Sequence, residues 1–241
     1  SRKQLKDVNC CGIDLHAVEL HATCFSGTDL SDSSFVAAKI HRGNFQSAKF
    51  HRSNLTSAAF FEADFKNASF VDTLLASTDF SFARLAGADF SAAVVDKVFW
   101  NGATYDDTTS WPEGFVPEAI EDLHFIGPGA CLAGKKLRGW GLDHANLTRA
   151  NLRNADLNRV DAWFSNCEYS DLSNVKWREA MLLNVVFNHA NLSGADFELT
   201  SFCGEELGSC ELQSVNLRGA NLRKCDLRGV DLRGACLVGA N

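Results

Sequence analysis

A large apolar residue recurs at every fifth position from Leu5 to Tyr105, through Cys10, Leu15, Leu20 and Phe25 and on to Phe90, Val95 and Trp100. Sixteen of these 21 positions are Leu or Phe. The frame then breaks and returns shifted by two. From Leu132 to Leu237 there are 22 further centres, 19 of them Leu or Phe, the exceptions being Ala162, Cys167 and Trp177. Two residues before each centre a second column favours small side chains, as at Ala38, Ala48, Ala58 and Ala63 in the first run and Ala145, Ala150, Ala155 and Ala190 in the second. Between the two columns Asp or Asn recurs, as at Asp64, Asp89, Asn146 and Asn191. A period of five fits neither a helix at 3.6 nor a strand at 2. Two inward positions in every five suit a coil of four short sides with twenty residues to the turn. Successive turns stack at about one strand spacing, ~4.8 Å, and each buries its core only against its neighbours. The fold class expected is all-β, a four-sided coil in two runs.

The words ADF, ANL, ADL and VDL at this spacing, as in Ala63–Phe65, Ala145–Leu147, Ala155–Leu157 and Val230–Leu232, resemble the pentapeptide repeat family. The resemblance covers residues 5–105 and 132–241. It implies a right-handed quadrilateral β-helix, a pentapeptide-repeat solenoid. It implies little about function, because the family holds binding modules, DNA mimics and many proteins of no known role.

Residues 106–131 leave the period and contain all three prolines, Pro112, Pro117 and Pro128. Pro117 suits a first helical turn and Gly127 a stop, so a short helix is expected over roughly 117–126. The chain thus reads as a first solenoid run over 1–105, an acidic non-repeat segment over 106–131 and a second run over 132–241. The middle segment is read as a cap or plug, with an acidic docking loop as the alternative. Lys135 and Trp140 stand at inward small-residue positions, so the first coil of the second run is expected to be distorted. Val8, Ile13 and Val18 are large for the same column at the other end of the chain.

Charge follows this division. The formal net charge of -7 splits into -1 for the first run, -6 for the middle segment and 0 for the second run. A protein that imitates DNA needs acidic faces on its coils, and the coils here are near neutral. No apolar run approaches the ~20 residues of a membrane helix, and no basic-then-apolar leader opens the sequence.

Nine Cys is an odd number, and no Cys/His zinc spacing is present. Cys10 and Cys167 stand at centres, and Cys210 and Cys225 in the small column, where Cys packs as a small hydrophobe. Cys11 and Cys203 point outward. The pattern suits a reducing compartment, with the cytoplasm as the default. His16, His21, His41 and His51 each follow a centre and face outward, with His21 stacked over His41. Glu205 is the one carboxylate at an inward small position, inside the irregular stretch CGEELGS. Asp32, Arg52 and Asp72, and likewise Arg178, Glu198 and Arg218, are 20 apart and form rows of alternating charge. Arg218, Arg223, Arg228 and Arg233 are five apart and make a collar around the last coil.

No HExxH, GxSxG, P-loop or GxGxxG is present, and a coil with a filled core has no interior pocket. The sequence therefore points away from an enzyme, with no catalytic residue, cofactor or metal assigned. The reading is a protein-interaction scaffold or structural subunit with protein partners. The alternative is a DNA mimic acting on a topoisomerase such as DNA gyrase, which the resemblance brings in and the neutral coils oppose. Small-molecule substrates and nucleic acid are not expected as partners. Trp163, Phe164, Tyr169 and Leu183 form the candidate protein-binding site, because all four are expected to point to solvent on a surface built mostly of Ser, Asn, Gly, Arg and Glu; the alternative is that the undersized Ala162 and Cys167 mark a distorted coil in which Trp163 or Phe164 turns inward to fill the gap. Such aromatic anchors are typical of interfaces.

Overall fold

The computed structural model describes residues 4–120, 122–204 and 208–241 and divides into two compact units, Ser1–Phe125 and Ile126–Asn241. In unit 1 the bridges are parallel and join each residue to the one twenty further on, from Gln4 with Cys24 to Arg84 with Thr104. Strand β1 (Glu19–His21) pairs with β2 (Lys39–His41), and β3 (Thr104–Tyr105) with β4 (His124–Phe125), in this same register. The twenty-residue turn inferred from the sequence is thus the repeat of a strand-rich β-helix.

Each side of a coil ends in a tight turn. The Ala38 N–H donates to the Phe35 carbonyl at 2.9 Å and holds Ala37 at φ 56°. Such positive φ values recur every five residues, at Arg42, Ser47, Arg52, Ser57 and Glu62. A left-handed conformation costs an L-residue ~1–2 kcal/mol. Here the residue's N–H is used across the coils: Arg42, Ser47 and Arg52 donate to the carbonyls of Phe61, Lys66 and Val71 at 2.9–3.0 Å. The strain is therefore tied to the bonds that stack one turn on the next.

The two columns form the core. Ala38, Ala48, Ala58 and Ala63, and the centres Phe45, Phe50, Phe60 and Phe65, are all fully buried. Rings on one side stack face to face, Phe45 on Phe65 at 4.9 Å and Phe50 on Phe70 at 5.1 Å, while rings on adjacent sides meet edge-on, as Phe60 and Phe65 do at 83°. The edge-on contacts are favoured by the aromatic quadrupole, and the stacked ones follow from the spacing of the coils. At three positions of unit 1 where Ser or Thr replaces Ala in the small column, the hydroxyl donates to the carbonyl of the centre 23 residues earlier: Ser53 to Leu30, Thr73 to Phe50 and Thr78 to Leu55. Thr73→Val keeps the shape and removes the buried donor, so a loss of ~1–2 kcal/mol is expected from chemical denaturation. An unchanged midpoint would show that the Phe50 carbonyl does not need this bond.

Residues 106–125 supply the last layer of unit 1. Trp111 stacks on Phe90 at 5.2 Å and 8°, Phe115 on Trp111 at 4.8 Å, and Phe125 lies 5.6 Å from Tyr105. The helix expected over 117–126 is a single 3₁₀ turn, Pro117–Ala119. Ile120 is already extended (φ -92°, ψ 113°), and β4 returns to the twenty-residue register. Ladder pairing overrides the local signal of Pro117 and Gly127.

Unit 2 keeps parallel bridges at twenty residues from Cys131 with Asn151 to Met181 with Ser201. Its first coil is not distorted as expected. Lys135 and Trp140 are only half-buried, while Leu132, Leu137 and Leu142 fill the centres. Long amphipathic side chains lie across such a layer without displacing it. The departure comes later. Val186, Asn191, Asp196 and Ser201 bridge to Glu211, Asn216, Asn221 and Asp226, twenty-five residues on, and Glu211 with Asp231 restores twenty. This shift of five falls where β5 (Cys203–Gly204) and β6 (Gly208–Ser209) pair antiparallel.

This shift corrects the expected columns. Leu132, Leu152, Leu172 and Leu192 are followed by Leu217 and Leu237, since Leu192 donates its N–H to Asn216 and Leu217 to Cys236. Leu212 and Leu232 fall on the side of Cys167 and Phe187 instead. The thiols of Cys210 and Cys225 reach the carbonyls of Leu182 and Phe197, 28 residues earlier rather than 23. The centre Trp177 is fully buried, 5.5 Å from the Phe187 ring and 5.9 Å from Phe197, above a coil whose centres include the undersized Ala162 and Cys167.

Candidate functional site

The outward positions carry whatever recognition the coils offer, because the inward ones are packed. In unit 2 two adjacent columns are unusual. The first holds Trp163 and Leu183 directly after the centres Ala162 and Leu182, with Phe164 at the corner. The second holds Arg149, Tyr169 and His189 at the next corner, two residues after Leu147, Cys167 and Phe187.

Phe164 and Tyr169 are both at positive φ, 58° and 59°, and are 45% and 51% exposed. Each is held by a stacked histidine one coil away. His144 lies on Phe164 at 5.1 Å and 5°, and His189 on Tyr169 at 4.9 Å and 12°. The Arg149 guanidinium sits 5.7 Å from the Tyr169 ring centre, within cation–π range, so Tyr169 is flanked by Arg149 and His189. Phe164 does not turn inward to fill the space beside Ala162.

The other two expected members differ. Leu183 is buried, not exposed, at 4% accessibility, and Trp163 is half-buried. At one strand spacing, two large side chains in successive coils of one column cover each other, and the Phe164 N–H donating to the Leu183 carbonyl at 2.8 Å fixes that spacing. The Trp163 N–H is accepted by Asp143 Oδ1 at 3.1 Å, while its indole Nε1 is shielded and has no partner among the described residues. Leu183 is thus packed away from solvent and Trp163 largely so, which leaves Phe164 and Tyr169 as the exposed members. Met181 and Leu199, at 43% and 47% exposure, are further apolar outward residues that the sequence reading passed over.

The remaining candidates resolve simply. His21 pairs with His41 in register, and the His41 ring lies 6.0 Å from Phe61. The two histidines line a shallow cleft of about 250 Å³ with Glu19, Leu20 and Lys39, in which Lys39 pairs with Glu19 at 2.8 Å. Among the described residues no group of three or more His, Cys, Asp and Glu is placed to hold a metal ion. Burial pushes the Cys167 thiol up to about 12 and the Cys225 thiol up to about 11. The Cys11 thiol is also raised, by desolvation first and then by its hydrogen bond to Asp32. The side chain of Cys203, and Glu205 altogether, lie outside the described residues.

The charge rows are ion pairs between coils. Arg52 meets Asp32 at 2.7 Å, holding that carboxyl below its ordinary value, and Arg178 meets Glu198 at 2.6 Å. Beyond Glu198 the row continues to Arg223, not Arg218, because of the shift of five: Leu199 donates its N–H to the Arg223 carbonyl. In the collar, Arg228 and Arg233 are held by Asp226 and Asp231 at 2.6 and 2.5 Å.

The family profile described as Pentapeptide repeats matches eight copies, over residues 13–52, 53–91, 141–166, 165–202 and 209–241. The chain belongs to the pentapeptide repeat family. No curated protein matches it. Among solved pentapeptide repeat structures it is similar to HetL from the cyanobacterium Nostoc sp. strain PCC 7120, described as involved in heterocyst differentiation regulation. The identity is 22% over 100% of this chain and 91% of that one, with a TM-score of 0.32. It is also similar to a trypsin-treated form of QnrB1, a plasmid-mediated fluoroquinolone resistance protein, with 18% identity over 100% and 92% and a TM-score of 0.28. A third is the pentapeptide repeat protein of the Arabidopsis thaliana thylakoid lumen, with 24% identity over 66% and 68% and a TM-score of 0.16. At these identities and scores the likenesses carry no argument about function. No helix among the described residues is long and apolar enough to cross a membrane.

Proposed function

We propose that this pentapeptide repeat protein is a non-enzymatic docking scaffold, and that the corners carrying Phe164 and Tyr169 are a protein-binding site. The observation behind this reading is that two half-exposed aromatic side chains are held rigid by stacking on His144 and His189. Preordered aromatics lose little side-chain freedom on binding, which is where interface hot spots gain. The fold read with it is a right-handed, four-sided coil in two runs, with the acidic segment 106–131 closing the first. A topoisomerase-directed DNA mimic is the weaker reading, because the second run carries 13 basic and 13 acidic residues.

Affinity capture with mass spectrometry, followed by binding of the purified partner, tests the site. Phe164→Ser with Tyr169→Ser is expected to abolish that binding and leave the melting temperature nearly unchanged. Trp163→Ser with Leu183→Ser is expected to lower the melting temperature, since Leu183 is buried. Full binding by the Phe164/Tyr169 variant would remove the site.

A further inference from the structure

Unit 1 carries a second surface of different character. Its exposed large apolar side chains are Val8, Leu74, Phe82, Val94, Phe99 and Val116, so all but Val8 fall between residues 74 and 116. Leu74 and Val94 pair across successive coils, directly before the centres Leu75 and Val95. Phe82 and Phe99 border the next side, whose centres Phe80 and Trp100 stack at 5.2 Å. These are outward positions, occupied elsewhere by residues such as Asp14, Asn54 and Arg52.

Phe82 is anchored. Its ring meets Phe61 edge-on at 5.1 Å and lies over Gly102, where an added Cβ would come within 2.7 Å of the ring. Gly102 is at φ 69° and donates its N–H to the Asp122 carbonyl at 2.7 Å. Phe82 is thus followed by Gly102 in the next coil, and the exposed Asp122 follows Asn101, one place before that column. Phe99 bridges to Asp79 in the coil before it, and the exposed Asp96 lies two residues after Val94. Residues 85–125 hold eight acidic side chains against one basic, Lys97.

We propose that these two adjoining sides of unit 1 dock a cationic segment of a partner protein, one in which Lys or Arg alternates with large apolar side chains. Apolar anchors set among carboxylates match that chemistry and disfavour nucleic acid or an anionic membrane. The surface is separate from the Phe164/Tyr169 corners of unit 2, and the two stand or fall independently.

The probe is a short synthetic peptide alternating Lys and Leu, with fluorescence anisotropy measured on the full chain. Two control peptides replace Lys by Glu, or Leu by Ser. The Lys/Leu peptide is expected to bind at least about tenfold more tightly than either control. Phe82→Ser with Phe99→Ser, and separately Asp96→Asn with Asp122→Asn, are each expected to weaken it by about tenfold or more. Phe164→Ser with Tyr169→Ser is expected to leave it unchanged. Melting curves confirm that the variants are folded, and Phe99→Ser alone serves if the double variant is not. Equal binding of the Lys/Ser peptide, equal binding by the folded variants, or sedimentation showing that these sides join two copies of the chain would overturn the proposal.

Discussion

Trp177→Ala is expected to destabilise unit 2 by ~3–5 kcal/mol, the upper range for losing a large aromatic from a packed core. Trp177 is fully buried, and its indole meets Phe187 edge-on and Phe197 nearly face to face. The coil below presents Ala162 and Cys167 at two of its centres, both fully buried. Trp177→Phe separates volume from polarity. The indole Nε1 is buried and has no hydrogen-bond partner among the described residues, so losing it offsets part of the lost volume. The Phe variant is expected to lie much closer to wild type than the Ala variant in guanidinium unfolding. A loss below ~1 kcal/mol for Trp177→Ala would mean that this layer repacks freely, against the close packing of protein interiors.

Deleting a single residue from unit 1, such as Ser57, is expected to abolish its cooperative unfolding. Every later inward side chain would move one place along the coil, taking Phe60, Phe65 and Phe70 out of the centres they fill. By contrast, removal of residues 46–65, one full turn, joins Phe45 to Lys66 and keeps every centre in its column. That shortened chain is expected to keep its circular dichroism per residue and to melt cooperatively at a lower temperature, because solenoid stability is roughly a sum over repeats and their interfaces. The bridges from residue i to i+20, from Gln4 with Cys24 to Arg84 with Thr104, are the basis for the contrast. A folded single-residue deletion, or an unfolded twenty-residue one, would contradict the register as the source of stability.

The period of five carried most of the fold into plain view. The inward columns, the burial of Trp177 and the pairing of His21 with His41 all follow from counting. The antiparallel pairing of β5 with β6 did not. The register shift equals one repeat, and Leu207 keeps the frame of five intact in the sequence, so periodicity is blind to it. Every column call beyond Phe202, including Leu212, Leu232 and Arg218, inherited that shift. At the candidate site, Phe164 and Tyr169 were legible as outward apolar residues. Leu183 was not, since its burial depends on what lies above it in the same column. The pairing of aromatics with His144 and His189 was available by adding twenty. So were Phe82 and Phe99, at outward positions on the opposite unit.

The uniform spacing of the bridges bears on how this chain is made. A strand in a sandwich or a mixed sheet waits for a partner that arrives at an unpredictable distance along the chain. Here nearly every backbone partner is twenty residues away, so contacts are local for a β-protein of this length, and local contacts favour fast folding. A nascent coil has its template as soon as the preceding turn is in place, and elongation on the ribosome can keep pace with assembly. The largest offset in that template is the twenty-five-residue spacing of the bridges from Val186 with Glu211 to Ser201 with Asp226, after which Glu211 with Asp231 returns to twenty.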